Sequence, residues 1–156
     1  MGKFELVTIP STDIEYVIER LKNHEKMTHE EAVKCVQELI HFYTAIKYGK
    51  RGSPSDMIDK AWHAHILNTP MYMEFTQATF GRFVHHVPYW SGHQSDGTED
   101  DIYKYLISLL GVDHVDATVW GQEEINCVYN EHSSDVQRLE YCQKNISSHR
   151  QCTTSK

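Results

Sequence analysis

The stretch from Thr28 to Gly49 constrains the fold more than any other part of the chain. Thr28 and Glu31 stand at the spacing of a capping box, in which a hydroxyl and a carboxylate satisfy the free amides at a helix start. Behind them Ala32, Val33, Val36, Leu39, Ile40, Tyr43 and Ile46 recur at helical intervals until Gly49 closes the run. That spacing puts them on one stripe of a helix, whereas a strand would scatter them over both faces. The same grammar recurs along the chain. Thr12 with Glu15 opens a helix through Ile14, Val17, Ile18 and Leu21, predicted to form an antiparallel hairpin with the longer one. Ser53 as N-cap, Pro54 in the first turn and Asp56 predict a third helix over 54–67. Thr69-Pro70 restarts a fourth, in which Tyr72, Phe75 and Thr79 share a face and Gly81 is the stop.

Thr98 with Asp101 predicts a fifth helix through Ile102, Tyr105, Leu106, Leu109 and Leu110, ended by Gly111. Val115 to Trp120 reads as a short helix, and Ser134 with Gln137 as the start of another. Between these elements, residues 47–52 form a basic, flexible linker. Residues 82–97, with Pro88, Gly92 and Gly97, form a long irregular loop. The expected fold is all-α, a compact bundle of about five to six helices. Residues 1–145 make a single domain and 146–156 a polar, disordered tail.

At 156 residues the chain can bury one core without staples. Its net charge of −7 opposes general binding to nucleic acid, which needs a basic face against phosphate. No apolar leader opens the sequence and no run reaches the length of a membrane span. Cys35, Cys127, Cys142 and Cys152 stand far apart with no C-x-x-C pair, as expected of reduced thiols in a cytoplasmic protein.

The compositional anomaly is histidine, with 11 in the chain. His24, His29 and His41 read as solvated positions on helix surfaces, and His132 and His149 belong to the tail. Five others, His63, His65, His85, His86 and His93, crowd one segment. Asp59 lies one helical turn before His63, so the carboxylate can share a metal with the imidazole or orient it. His63 and His65 diverge by about 200° on an ideal helix, so both reach one ion only if the helix loosens. Of His85 and His86, adjacent past a helix end, one is expected to face His63. The fourth helix folds the two groups together. The predicted ligand set is Asp59, His63, His65, His85 and His86, suited to iron, copper or zinc. Tyr72 and Tyr89 are candidate proton donors at its edge, with Asp59 as a catalytic carboxylate. A buried histidine that only makes hydrogen bonds, with Trp62, Phe83 and Tyr89 packed around it, explains the same letters without a metal.

The segment Pro54-Ser55-x-x-Ile58-Asp59-x-x-Trp62-His63-x-His65-Ile66-Leu67-x-Thr69-x-x-Tyr72, followed by Phe80-Gly81-x-Phe83-x-His85-His86-x-Pro88-Tyr89, resembles the glycine-rich-domain-containing-protein-like family. That family includes plant proteins carrying the domain at the N-terminus and short microbial versions that stand alone. The resemblance implies a D-x-x-W-H-x-H element paired with an H-H element as one polar constellation. The chain departs from the plant members in having only eight glycines and no glycine-rich tail, so no role of such a tail carries over.

Three functions compete on this reading. The first is a metal-dependent enzyme, an oxidoreductase or a hydrolase, acting on a small molecule or a peptide. The second is an interaction module with a structural metal site, meeting a protein partner through exposed aromatics such as Trp90 or Trp120. The third is a metal-free polar core.

Overall fold

The computed structural model describes residues 4–88 and 100–122. Among them stand five α-helices, α1 (Ser11–His24), α2 (His29–Lys47), α3 (Asp56–Leu67), α4 (Thr69–Phe80) and α5 (Ile102–Leu110), with one 3-10 turn, Val112–His114, and no strand. The all-α expectation holds. Helices α1, α2 and α3 pack on one another, α4 packs on α3, and α5 packs on α2. No described helix is long and apolar enough to cross a membrane. The helix expected from Ser134, the second half of the loop near 82–97 and the limits of the domain and its tail fall outside the described residues.

Local chemistry sets most of the boundaries. The Thr28 hydroxyl accepts from the Glu31 amide at 3.2 Å and the Glu31 carboxylate accepts from the Thr28 amide at 2.7 Å, completing the expected box. The box expected at Thr12 and Glu15 does not form. The Pro10 carbonyl takes the Ile14 amide at 3.0 Å, so α1 begins before Thr12 and Thr12 lies inside its first turn. Helix α3 also starts later than Pro54. Its cap is Ser55, whose hydroxyl accepts from the Ile58 amide at 3.3 Å and donates to the Val119 carbonyl at 2.6 Å. A single residue, Asn68, joins α3 to α4, with Pro70 in the first turn of α4. Gly81, at φ +68, ends α4 in the left-handed conformation that favours glycine.

The core is aromatic where these helices meet. Tyr43 on α2 lies 5.1 Å from Phe75 and edge-on to Trp62 at 6.5 Å, while Phe42 lies 5.1 Å from Trp62 (ring centroids). Two surface readings are corrected by burial. His41 is buried, not solvated, because α2 is covered on more than its apolar stripe; its Nδ1–H donates to Glu38 at 2.9 Å. Trp120 is buried rather than exposed, its indole N–H donating to Glu38 at 2.7 Å. The short helix expected over Val115–Trp120 is instead a set of hydrogen-bonded turns, held by Asp116, Ala117 and Thr118 carbonyls. The linker 47–52 is tied down as well. Arg51 and Asp100 exchange backbone and side-chain hydrogen bonds, and a Cβ on Gly52 would meet the Asp100 carbonyl at 2.6 Å.

Candidate metal centre

Asp59 sits in the first turn of α3 and His63 one turn later, so both side chains rise from the same helix face. His86 arrives from the extended segment beyond α4. Its Nε2 lies 2.7 Å from Asp59 Oδ1, and His63 Nε2 lies 3.4 Å from Asp59 Oδ2. The three donor atoms lie within 4.8 Å of one another. A tetrahedral ion with ligands about 2.1 Å away separates its donors by roughly 3.4 Å, inside that span. The His63 side chain is 48% exposed, Asp59 33% and His86 11%, so the group opens to solvent on the His63 side.

His86 is held by more than the carboxylate. Its ring packs at a tilt against Trp62 at 4.3 Å and against His63 at 4.5 Å between centroids. Two residues earlier Val84 is buried, and its carbonyl accepts the Tyr72 hydroxyl at 2.6 Å. The same Tyr72 oxygen accepts the Trp62 indole N–H at 3.0 Å. Burial alternates along the non-helical 84–86 segment, with Val84 buried, His85 exposed and His86 mostly covered.

Of the five expected ligands, the structure brings together Asp59, His63 and His86. His65 lies elsewhere, on the opposite side of α3 as an ideal helix requires, and is 0% exposed. Its Nε2–H donates to Asp13 at 2.8 Å and its Nδ1 accepts from the Tyr43 hydroxyl at 2.9 Å, which occupies both ring nitrogens. Burial holds the His65 pKa below its ordinary value despite the opposing Asp13 carboxylate. His85 points to solvent with its ring 4.8 Å from Phe83. Tyr72 is buried, its hydroxyl engaged as donor and acceptor, and burial raises its pKa against the indole hydrogen bond. Tyr89 and His93 lie outside the described residues.

Two buried carboxylates went unremarked in the sequence. Asp13 stands one turn ahead of Val17 and two ahead of Leu21, on the stripe that enters the core. Glu38 falls between Cys35 and Phe42 at helical spacing, again on a buried face. A charge on an apolar stripe is the signal that finds both. Glu38 is an acceptor three times over, from His41, Trp120 and the Asp116 amide at 2.9 Å.

A two-histidine, one-carboxylate group with solvent on one side is the donor set of three-ligand transition-metal sites that keep open positions. Residues 11–106 match the UCP032817-like family, and the chain belongs to it. That match takes in Asp59, His63 and His86 as well as the buried Asp13, Tyr43 and His65. No curated protein and no solved structure matches the chain.

Proposed function

We propose that Asp59, His63 and His86 bind one divalent transition-metal ion and that the protein is a metal-dependent enzyme, an oxidoreductase or a hydrolase, acting on a small molecule or a peptide. One observation carries the reading: three donors of the right types, from elements 27 residues apart in sequence, converge within 4.8 Å at the surface. The resemblance to the glycine-rich-domain-containing-protein-like family, through its D-x-x-W-H-x-H and H-H elements, supports the same residues. Asp59 and the two imidazoles are the ligands, with iron, zinc and copper the ions that suit them. An ion with open positions acidifies bound water for hydrolysis or, as iron or copper, engages dioxygen. The chain's own contribution is to hold His86 against Trp62 and to leave the His63 side open to substrate.

A second reading has its own observation. The 2.7 Å contact between His86 Nε2 and Asp59 is a complete hydrogen bond, which fastens the 82–88 segment to α3 with no ion. The histidine cluster is then a polar clasp in an interaction module. Titrating chelator-treated, untagged protein with Co2+ separates the two. The metal reading expects about one equivalent bound, with visible d–d absorption. It also expects binding to be lost in His63→Ala and in His86→Ala while helicity is retained. Absence of saturable binding by the wild type refutes it and leaves the clasp.

A further inference from the structure

Behind the site, one hydrogen bond beyond the Trp62 indole that His86 packs against, lies Tyr72. Its hydroxyl cannot reach outward, because it donates to the Val84 carbonyl and accepts from the Trp62 indole within the core. Those two bonds form a closed circuit. Trp62 lies on α3 beside His63, Tyr72 lies on α4, and Val84 lies two residues before His86. The circuit returns to α3 through His86, which packs at a tilt on Trp62 and bonds Asp59. Gly81 releases the chain from α4 in a left-handed turn, and the buried Tyr72 hydroxyl then captures the first buried residue of the segment beyond it.

We infer that Tyr72 is the positioning residue for His86. Its O–H fixes the Val84 carbonyl, which sets the register of the 84–86 segment and thereby puts the His86 ring on Trp62 and its Nε2 at Asp59. This assignment of register stands on the hydrogen-bond circuit, and its consequence for metal affinity rests on the reading proposed above. A one-residue slip would exchange the directions of His85 and His86, because side chains alternate along extended backbone. Tyr72 therefore decides which of the adjacent histidines faces the site.

Tyr72→Phe tests this, with Tyr43→Phe as its control. Both remove one buried hydroxyl from a polar chain, but Tyr43 bonds His65, which in turn bonds Asp13, and makes no hydrogen bond to the 82–88 segment. The first readout needs no metal. In the wild type the Trp62 ring should displace the His86 ring-proton resonances from those of an unstructured histidine. The displacement should collapse in Tyr72→Phe and survive in Tyr43→Phe. The second readout is Co2+ affinity, expected to fall about 10- to 100-fold in Tyr72→Phe, the usual loss on removing a group that orients a ligand. Tyr43→Phe should bind as the wild type does.

Unchanged His86 resonances in Tyr72→Phe overturn the assignment, whatever the metal does. Equal loss in both variants overturns it too, since the effect is then general loosening of the core. A wild type that binds no Co2+, yet loses the His86 displacement on Tyr72→Phe, refutes the metal reading and upholds the positioning role.

Discussion

His65 shows how one residue's surroundings decide its chemistry. Its ring lies where no water reaches, between a phenol and a carboxylate, and the neutral form satisfies both neighbours. Because burial lowers its folded pKa, the unfolded chain binds a proton more readily than the native one. The sign follows: this group exacts no penalty above its unfolded pKa of about 6.5, and stability falls as the pH drops below that value. Urea midpoints measured between pH 8 and pH 5 should fall more steeply for the wild type than for His65→Gln, which cannot titrate. Asp13→Ala, which strips the Nε2–H of its acceptor, should cost about 1–3 kcal/mol at neutral pH in the same assay. Cys35 gives a second check at this scale. Burial, with Glu31 nearby, pushes its thiol up to about 11. Iodoacetamide at pH 8 should therefore leave Cys35 unmodified in native protein and alkylate it in urea, as read by mass spectrometry of its peptide. Spacing made legible the approach of Asp59 and His63 to one of the 85–86 pair, and the divergence of His65 from His63, but not which of those two histidines turns inward. An ideal helix puts them on opposite sides, and only the partners, Asp13 and Tyr43, say which side is core.

At the scale of elements, the helices were read well wherever a local rule terminates them. Thr28 with Glu31 and Gly81 act through their own neighbours, and the structure repeats the sequence reading. Ser55 displaced Ser53 as the cap of α3 because its hydroxyl also has a partner 64 residues away in sequence, which no local pattern contains. The linker 47–52 looked flexible for the same reason. Its composition favours a turn, while its order comes from Asp100. Gly52→Ala should consequently destabilise the fold by about 1–3 kcal/mol, since the new methyl meets the Asp100 carbonyl at 2.6 Å and the buried Ile102 side chain at 2.8 Å. Thermal unfolding of the variant against Gly49→Ala, where no atom stands within 4 Å, separates crowding from strain at positive φ.

At the scale of the whole molecule, the helical class and the packing of α1 on α2 follow from stripes and stops in the sequence, while the packing of α3 on both does not. The polar ties that close the bundle do not, because they join residues too distant for periodicity to relate. A metal at Asp59, His63 and His86 would add one more such tie, between α3 and the segment past α4. Saturating Co2+ at about 100 times its dissociation constant should stabilise the protein by about 2.7 kcal/mol, as a rise in melting temperature absent from His86→Ala. The Glu38 contacts carry a separate consequence. The carboxylate on α2 meets the Trp120 indole 82 positions further along and the Asp116 amide 78 positions further. Both donors lie past residue 106, where the likeness to the family ends. A chain cut back to 11–106 would keep the His41–Glu38 pair but lose the other two donors to Glu38 and the Trp120 ring beside it, so its melting temperature should fall below that of 1–122. The border of the family match and the border of the hydrogen-bond network thus fall at different places: the matched stretch stops short of two donors on which Glu38 depends.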